Sequence, residues 1–407
     1  MQKITDQSYS KQDTILALAK LFERCSYYGL RAILILYLID GAAKMPKDEA
    51  LQHYALFTSG LLLFGIIGAL IGDLIFGNKN TLLIGGALQC LGAFILSIPT
   101  TITLYLGIGM VCIGGGLFGS NLFSCFGKSF RNRPKLLDSA FSIYYLIINI
   151  GAAIGISTIG IVGEKYGWKF GFILSGLFML LALVLSYFHN ESKTIEFKKH
   201  KTSYDNAIIR ILIAFVVLGL FWGINDIVYK KNLALNFSFS ESLSNLNIAF
   251  WSSIDFYLTV PLSIILASVW TYFYNNSYIK LSIGFLFGAI SYGLLLFIPE
   301  IPLEQHLLIY LTSILCFVIS EILIGPIVYS IITRYANPKY LATIASLVFI
   351  TNKAFFYLNG IFNDNLDSNS FYPILFSMIG MIIIGIALLL FIMNEKADTN
   401  SEILDSY

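Results

Sequence analysis

From residue 14 to residue 393 one pattern recurs: an apolar run of about twenty residues, closed by a short polar turn. A helix of that length crosses a ~30 Å hydrocarbon core. Lipid offers no partner to a backbone N–H or C=O, so a spanning segment must satisfy both within itself, as a helix does. The runs fall near 14–40, 51–76, 80–98, 101–127, 137–163 and 168–189, then near 206–229, 248–274, 279–298, 305–334, 340–362 and 371–393. They predict an all-α membrane protein of twelve transmembrane helices. Strand-length alternation is missing, which speaks against an outer-membrane barrel. Charged residues make up only 12% of the chain, about half the share usual in soluble domains.

Other classes find little support. Basic and acidic residues nearly balance, and no basic stretch interleaved with aromatics suggests nucleic acid. Cys25, Cys90, Cys112, Cys125 and Cys316 lie inside apolar runs without metal-type spacing, and read as packing residues. His53, His189, His200 and His306 fall near run ends or in loops, with no nucleophile–base or metal pattern. The expectation is therefore no enzyme, no metal and no cofactor. The first run does not read as a cleavable leader, because Glu23 and Arg24 interrupt it and it continues past Tyr37.

The runs divide six and six. Between the sets, His189 to Asp205 is the most polar stretch and carries Lys193, Lys198, Lys199 and Lys201. The expected domains are an N-terminal bundle over 1–189, a linker over 190–205 and a C-terminal bundle over 206–407. Sixteen Lys/Arg lie in loops on the side of the N-terminus, against six (Lys44, Lys47, Lys165, Lys169, Lys230 and Lys231) on the other. The positive-inside rule then places both termini and the linker in the cytoplasm, with the protein multi-pass in the cell's inner (plasma) membrane.

What remains inside the runs carries the chemistry. Four basic residues stay within them (Lys20, Arg24, Arg31 and Lys353), as do Glu23, Asp226, Asp255 and Glu321. An unpaired mid-membrane charge costs roughly 2.5–3.5 kcal/mol, so eight would cost on the order of 20 kcal/mol, beyond what a fold of ordinary stability carries. These charges must meet each other or a wet cavity. Lys20, Glu23, Arg24, Tyr27 and Arg31 share one helical face, and Trp222, Asn225, Asp226 and Tyr229 share another. Two readings stay open: structural ion pairs that lock helices, or a pathway for substrate and ions.

Ordered motifs point to a family. Glu23-Arg24-Cys25-Ser26-Tyr27-Tyr28-Gly29 resembles the ExxERFxYYG motif of the proton-dependent oligopeptide transporters, within the major facilitator class. Gly72-Asp73, Gly77 and Lys79 resemble that family's loop between helices two and three. Phe141-Ser142-Ile143-Tyr144-Tyr145, with Asn149, Gly151 and Ala152, is similar to its fifth-helix signature. Gly167-Trp168 with Gly171 fits its GWxxGF pattern. Phe221-Trp222 followed by Asp226 resembles its seventh-helix FWxxxE, and Lys280 with Gly284 matches its ninth-helix opening. Ser320-Glu321-Ile322-Leu323 with Pro326 resembles its tenth-helix GELxxxP.

The resemblance implies a monomeric major facilitator fold, six helices plus six, that imports small peptides or peptide-like zwitterions with protons by alternating access. The proton gradient would be its energy source and the bilayer its only other partner. It implies substrate contacts at Arg24, Tyr27, Tyr28, Asn149 and Glu321; the seventh-run face and the mid-span charges add Trp222, Asn225 and Lys353 as candidates. Arg24 would hold a carboxylate and Glu321 would face an amino group. The resemblance implies proton coupling at Glu23 and Asp226, and the mid-span charges Lys20 and Asp255 are further candidates for it.

Several positions depart from the family pattern. Lys20 replaces the first Glu of the motif, Cys25 its Phe, and Gly119 stands where the family carries a lysine. Asp255 stands near a family Asn, and Lys353 is expected to pair with Asp255 or Glu321. Around Leu62 the family's pocket tyrosine is missing, although Tyr54 lies earlier on that run. The competing expectations are transport of an amino acid, modified peptide or drug, including export, and a non-transporting membrane sensor.

Overall fold

Twelve long helices form the described chain, which contains no strand among the described residues. The computed structural model describes residues 8–40, 44–190, 204–242, 254–272, 276–299, 301–363 and 371–404. In order the helices are α1 (Lys11–Asp40), α2 (Lys47–Ile71), α3 (Asn78–Leu96), α4 (Thr101–Phe130), α5 (Leu137–Tyr166) and α6 (Trp168–Tyr187). There follow α7 (Tyr204–Ser242), α8 (Ile254–Tyr272), α9 (Ser277–Leu295), α10 (Leu307–Tyr335), α11 (Leu341–Asn363) and α12 (Phe371–Leu404). A π-helical turn, Gly72–Phe76, continues α2. Nearly all of the expected linker, 191–203, lies outside the described residues.

Ten of these helices are long and apolar enough to span a bilayer by length and composition. α1 falls outside that set because seven charged residues lie between Lys11 and Asp40. Local chemistry sets several boundaries. Thr100 and Thr103 form a reciprocal capping box at the start of α4. The Asn276 side chain accepts the Tyr278 N–H at 2.9 Å at the start of α9. Gly77 and Gly167, at φ +79° and +104°, close the preceding helices in backbone conformations that a side chain disfavours.

By density of contact the chain resolves into two units, each drawing on helices from before and after the linker. The first comprises Met1–Leu137, Leu146–Ile208 and Ile332–Phe349. Its helices pack through small residues, as association in lipid requires when burying apolar surface gains nothing. α3 and α4 run antiparallel, with Gly85 against Gly114 and Gly92 against Gly107. α1 meets α5 through Gly29, Gly151 and Gly155; a Cβ at Gly151 would lie 2.7 Å from the Leu21 carbonyl. An apolar core of Leu34, Tyr37, Phe57, Val111, Ile159 and Phe172 ties five of the helices together.

The second unit comprises Asp138–Tyr145, Ile209–Ile331 and Ile350–Tyr407. α9 packs along α12, and Phe221 of α7 stacks on Phe317 of α10 with centroids 5.8 Å apart. Here the structure corrects the sequence reading twice. α7 runs to Ser242, well past the expected end at 229, because Leu235 and Phe239 bury on one face while the Tyr310 hydroxyl donates to Asn236 Oδ1 at 2.8 Å. Lys230 and Lys231 therefore belong to a helix, and Lys231 is buried with its Nζ 3.4 Å from the Pro299 carbonyl. Lys280, counted above as a loop cation, is instead buried in the first turn of α9.

Candidate functional site

The α1 motif folds into one charged cluster. Lys20, Glu23, Arg24 and Tyr27 repeat at three and four residues and so project from one face. The Glu23 carboxylate, 1% exposed, accepts Arg24 Nε on Oε2 at 2.6 Å and Arg24 Nη2 on Oε1 at 2.5 Å. Lys20 Nζ stands 3.1 Å from the same Oε2. One carboxylate thus serves two cations. The Arg24 guanidinium also lies over the Tyr27 ring at 4.7 Å and the Tyr28 ring at 5.5 Å, and the two rings meet edge to face. Its Nη1 edge has no hydrogen-bond partner among the described residues. Arg31, one turn beyond Tyr27 and Tyr28, donates its Nε–H to the Tyr54 hydroxyl at 2.5 Å.

Around this cluster the first unit adds few charges. α5 approaches α1 through glycines, and Asn149 lies two residues before Gly151, whose Cβ would touch Arg24 Cβ at 2.7 Å. α6 contributes the Ser175 hydroxyl, 3.0 Å from that of Ser26. On α4, a Cβ at Gly119 would meet nothing within 4 Å, so the position where the family carries a lysine opens onto free space.

The second unit holds the remaining candidates. Glu321 of α10 accepts a hydrogen bond from the Tyr145 hydroxyl at the start of α5. Tyr145 lay inside the fifth-helix signature, yet its sequence position gave no hint that it would hold an acid 176 residues away. On α7, Trp222 packs edge to face on Phe221, and Asn225 Oδ1 accepts from the Tyr292 hydroxyl at 3.3 Å. Asp226 follows on the same helix and is half-buried. Asp255 occupies the first turn of α8, and Lys353 lies mid-way along α11; both side chains are exposed.

Two polar networks had no clear signal in sequence. In the first unit, Asp73 accepts both the backbone N–H and the hydroxyl of Thr343, at 2.8 and 2.9 Å, in the first turn of α11. A carboxylate there satisfies a helix N-terminal N–H that has no partner within its own helix. Asn78 donates to Asp73 at 3.0 Å and to Asn121 at 2.7 Å, and accepts from Lys128. In the second unit, Asp138 and Lys280, each 1% exposed, pair at 2.5 Å. Asp138 also receives the Ser330 hydroxyl at 2.5 Å and the Ser277 hydroxyl at 3.4 Å, while Lys280 Nζ sits 4.1 Å from the Trp270 ring.

Residues 16–356 match the family profile described as Major Facilitator Superfamily. The chain belongs to that superfamily, and ten of its described helices are long and apolar enough to cross a membrane. Among curated relatives, this facilitator is 32% identical over 190 residues to dipeptide and tripeptide permease B of Aliivibrio fischeri (strain MJ11). It is 33% identical over 171 residues to the uncharacterized transporter YclF of Bacillus subtilis (strain 168). These matches cover 46% and 41% of this chain but only 38% and 35% of the relatives' own lengths.

In fold the facilitator resembles a POT family transporter solved with a thioalcohol-conjugated peptide, with a TM-score of 0.65 and 20% identity over 94% of this chain and 96% of that one. It also resembles the peptide transporter POT solved with sulfate, with a TM-score of 0.63 and 22% identity over 95% of each chain. The α1 and α5 motifs point to peptide transporters, and a dipeptide and tripeptide permease and POT family structures are among the proteins this chain resembles.

Proposed function

We propose that this facilitator is a secondary active transporter that imports small peptides or peptide-like zwitterions together with protons, by alternating access. The observation that carries the reading is the Lys20–Glu23–Arg24 cluster on α1, in which buried Lys20 and Glu23 flank a partly exposed guanidinium edge. Charges at that depth are retained for ligands or ions far more often than for stability alone. The names of the permease relatives support a peptide ligand.

In this reading Arg24 takes the ligand's carboxylate, and Glu321, held by Tyr145, takes its amino group. Tyr27, Tyr28, Asn149, Trp222 and Asn225 are further substrate contacts in this reading. Asp226 and Asp255 load and release the proton, and Lys353 exchanges partners during the cycle. Each proton entering down a 100 mV potential supplies about 2.3 kcal/mol. The protein lies in the inner membrane as a monomer with both termini cytoplasmic.

Thermal stabilisation by a peptide and amino-acid library, followed by uptake into liposomes with and without an inward proton gradient, tests the proposal. Stabilisation by short peptides and gradient-driven uptake are expected. No stabilisation by any peptide, together with uptake indifferent to the gradient, sinks it. The free space at Gly119 favours a second reading in which the ligand carries a bulkier non-peptide group; it predicts that modified peptides or drugs stabilise better than dialanine.

A further inference from the structure

The α1 cluster is unusual in its charge arithmetic. Lys20, Glu23 and Arg24 sum to +1, and all three lie where an uncompensated charge is costly. Adding one ligand carboxylate brings the sum to zero with every group ionised. The same cluster without Lys20 would be neutral when empty and −1 when loaded, and would regain neutrality only by taking up a proton.

Geometry makes the same point atom by atom. The Nε and Nη2 donors of Arg24 are committed to Glu23, and a ligand carboxylate that engages this fork, rather than the open Nη1 edge, displaces Glu23 from it. Glu23 at 1% exposure cannot then fall back on water. It retains Lys20, already 3.1 Å from Oε2 and one turn away on the same helix face.

We propose that Lys20 is a positioning residue for anion binding: it holds Glu23 while Arg24 turns to the ligand carboxylate, so that this step takes up no proton at α1. This rests on the reading that a ligand carboxylate binds Arg24. It assigns Lys20 the work that a proton would otherwise do, and leaves proton coupling to acids elsewhere.

Among the described residues, no charged group besides Lys20 and Arg24 faces Glu23 from the helices packed around it. The packed faces bring Tyr27 and Tyr28 of α1 itself, glycines of α5 and Ser175 of α6. Charged residues of α2 (Lys47, Asp48, Glu49 and His53, with Asp73 just beyond), α4 (Lys128), α5 (Asp138, Glu164 and Lys165) and α6 (Lys169) lie towards the helix ends. Arg31 is occupied with Tyr54.

The test is the affinity of purified protein for L-alanyl-L-alanine at pH 7.5 and pH 5.5, in the wild type, Lys20→Gln and Lys20→Arg. The quantity read is the ratio of variant to wild-type Kd, which cancels pH effects from ligand and other groups. For Lys20→Gln the ratio is expected to be at least tenfold at pH 7.5 and to fall below threefold at pH 5.5, where a proton replaces the missing cation. Lys20→Arg is expected to hold the ratio level with pH. With the C-terminal amide of the peptide, the dependence on Lys20 should vanish. A Lys20→Gln ratio that is large at both pH values, as for a purely structural lysine, overturns the proposal, and so does a ratio near one throughout. If dialanine binds but these profiles fail, only this inference falls; if the wild type binds neither dialanine nor any other peptide, the peptide reading falls with it.

Discussion

Tyr145 and Glu321 stand 176 residues apart in the chain, yet the tyrosine hydroxyl donates directly to the carboxylate. Hydrogen bonds to charged groups contribute about 1.5–3 kcal/mol. Tyr145→Phe keeps the ring and removes only this donor, so we expect a measurable fall in unfolding temperature and a change in affinity for amino-bearing ligands. A variant indistinguishable from wild type in both would remove Glu321 from the site. At this scale legibility depended on distance along the chain. Lys20, Glu23, Arg24 and Tyr27 were readable as a cluster because helical periodicity alone places them together. Glu321 was readable as a mid-span acid, but its partner was not, because no periodicity links α5 to α10. The same holds for Asp138 and Lys280, which lie 142 residues apart near the starts of α5 and α9.

At the scale of elements, the contact of α1 with α5 is set by backbone approaching backbone. A Cβ at Gly155 would run into the backbone of Cys25, with its carbonyl carbon at 2.8 Å, and no side chain is there to swing aside. Gly155→Ala should therefore force the helices apart, at a cost of roughly 1–3 kcal/mol for overpacking, visible as a lower unfolding temperature and a smaller monodisperse fraction in detergent. Gly109→Ala is the matched control: a Cβ there meets nothing within 4 Å, and alanine favours the helix by about 1 kcal/mol. Equal behaviour of the two variants would contradict the packing described here. Most helix limits were legible to within a few residues, since an apolar run ends where polar turn residues begin. α7 escaped because its last turns are held by Leu235, Phe239 and the Tyr310–Asn236 bond, which a hydropathy window scores as loop.

Across the whole molecule, stability is concentrated where segments distant in sequence share buried charge. Removing one partner of the Asp138–Lys280 pair leaves the other charge uncompensated, and we expect Asp138→Asn or Lys280→Met each to cost about 3–5 kcal/mol. The double variant should recover a substantial part, because the desolvated pair itself contributes little net stability. A double-mutant cycle on thermal unfolding reads this coupling, and additive single effects would refute it. His189, just past the end of α6, adds a pH term. Burial, together with the nearby Lys79, pushes its pKa down to about 4 from 6.5, while Asp13 opposes the shift. The unfolded chain then binds a proton at higher pH than the folded one, so stability is full above pH 6.5 and declines as pH falls towards 4. His189→Gln should flatten unfolding temperature over that window; an unchanged slope would assign the decline to other groups.

Gly119 has a practical consequence. All five native cysteines are buried, and their thiols are shielded from reagents. Position 119 lies well inside α4, and a Cβ there would meet nothing within 4 Å. A single Gly119→Cys replacement would therefore create a selectively labelled protein without first stripping out the natural thiols. Its maleimide reactivity, followed by intact mass against an unlabelled wild type, would give a direct optical or mass readout of when that space is open to water and when a bound molecule fills it.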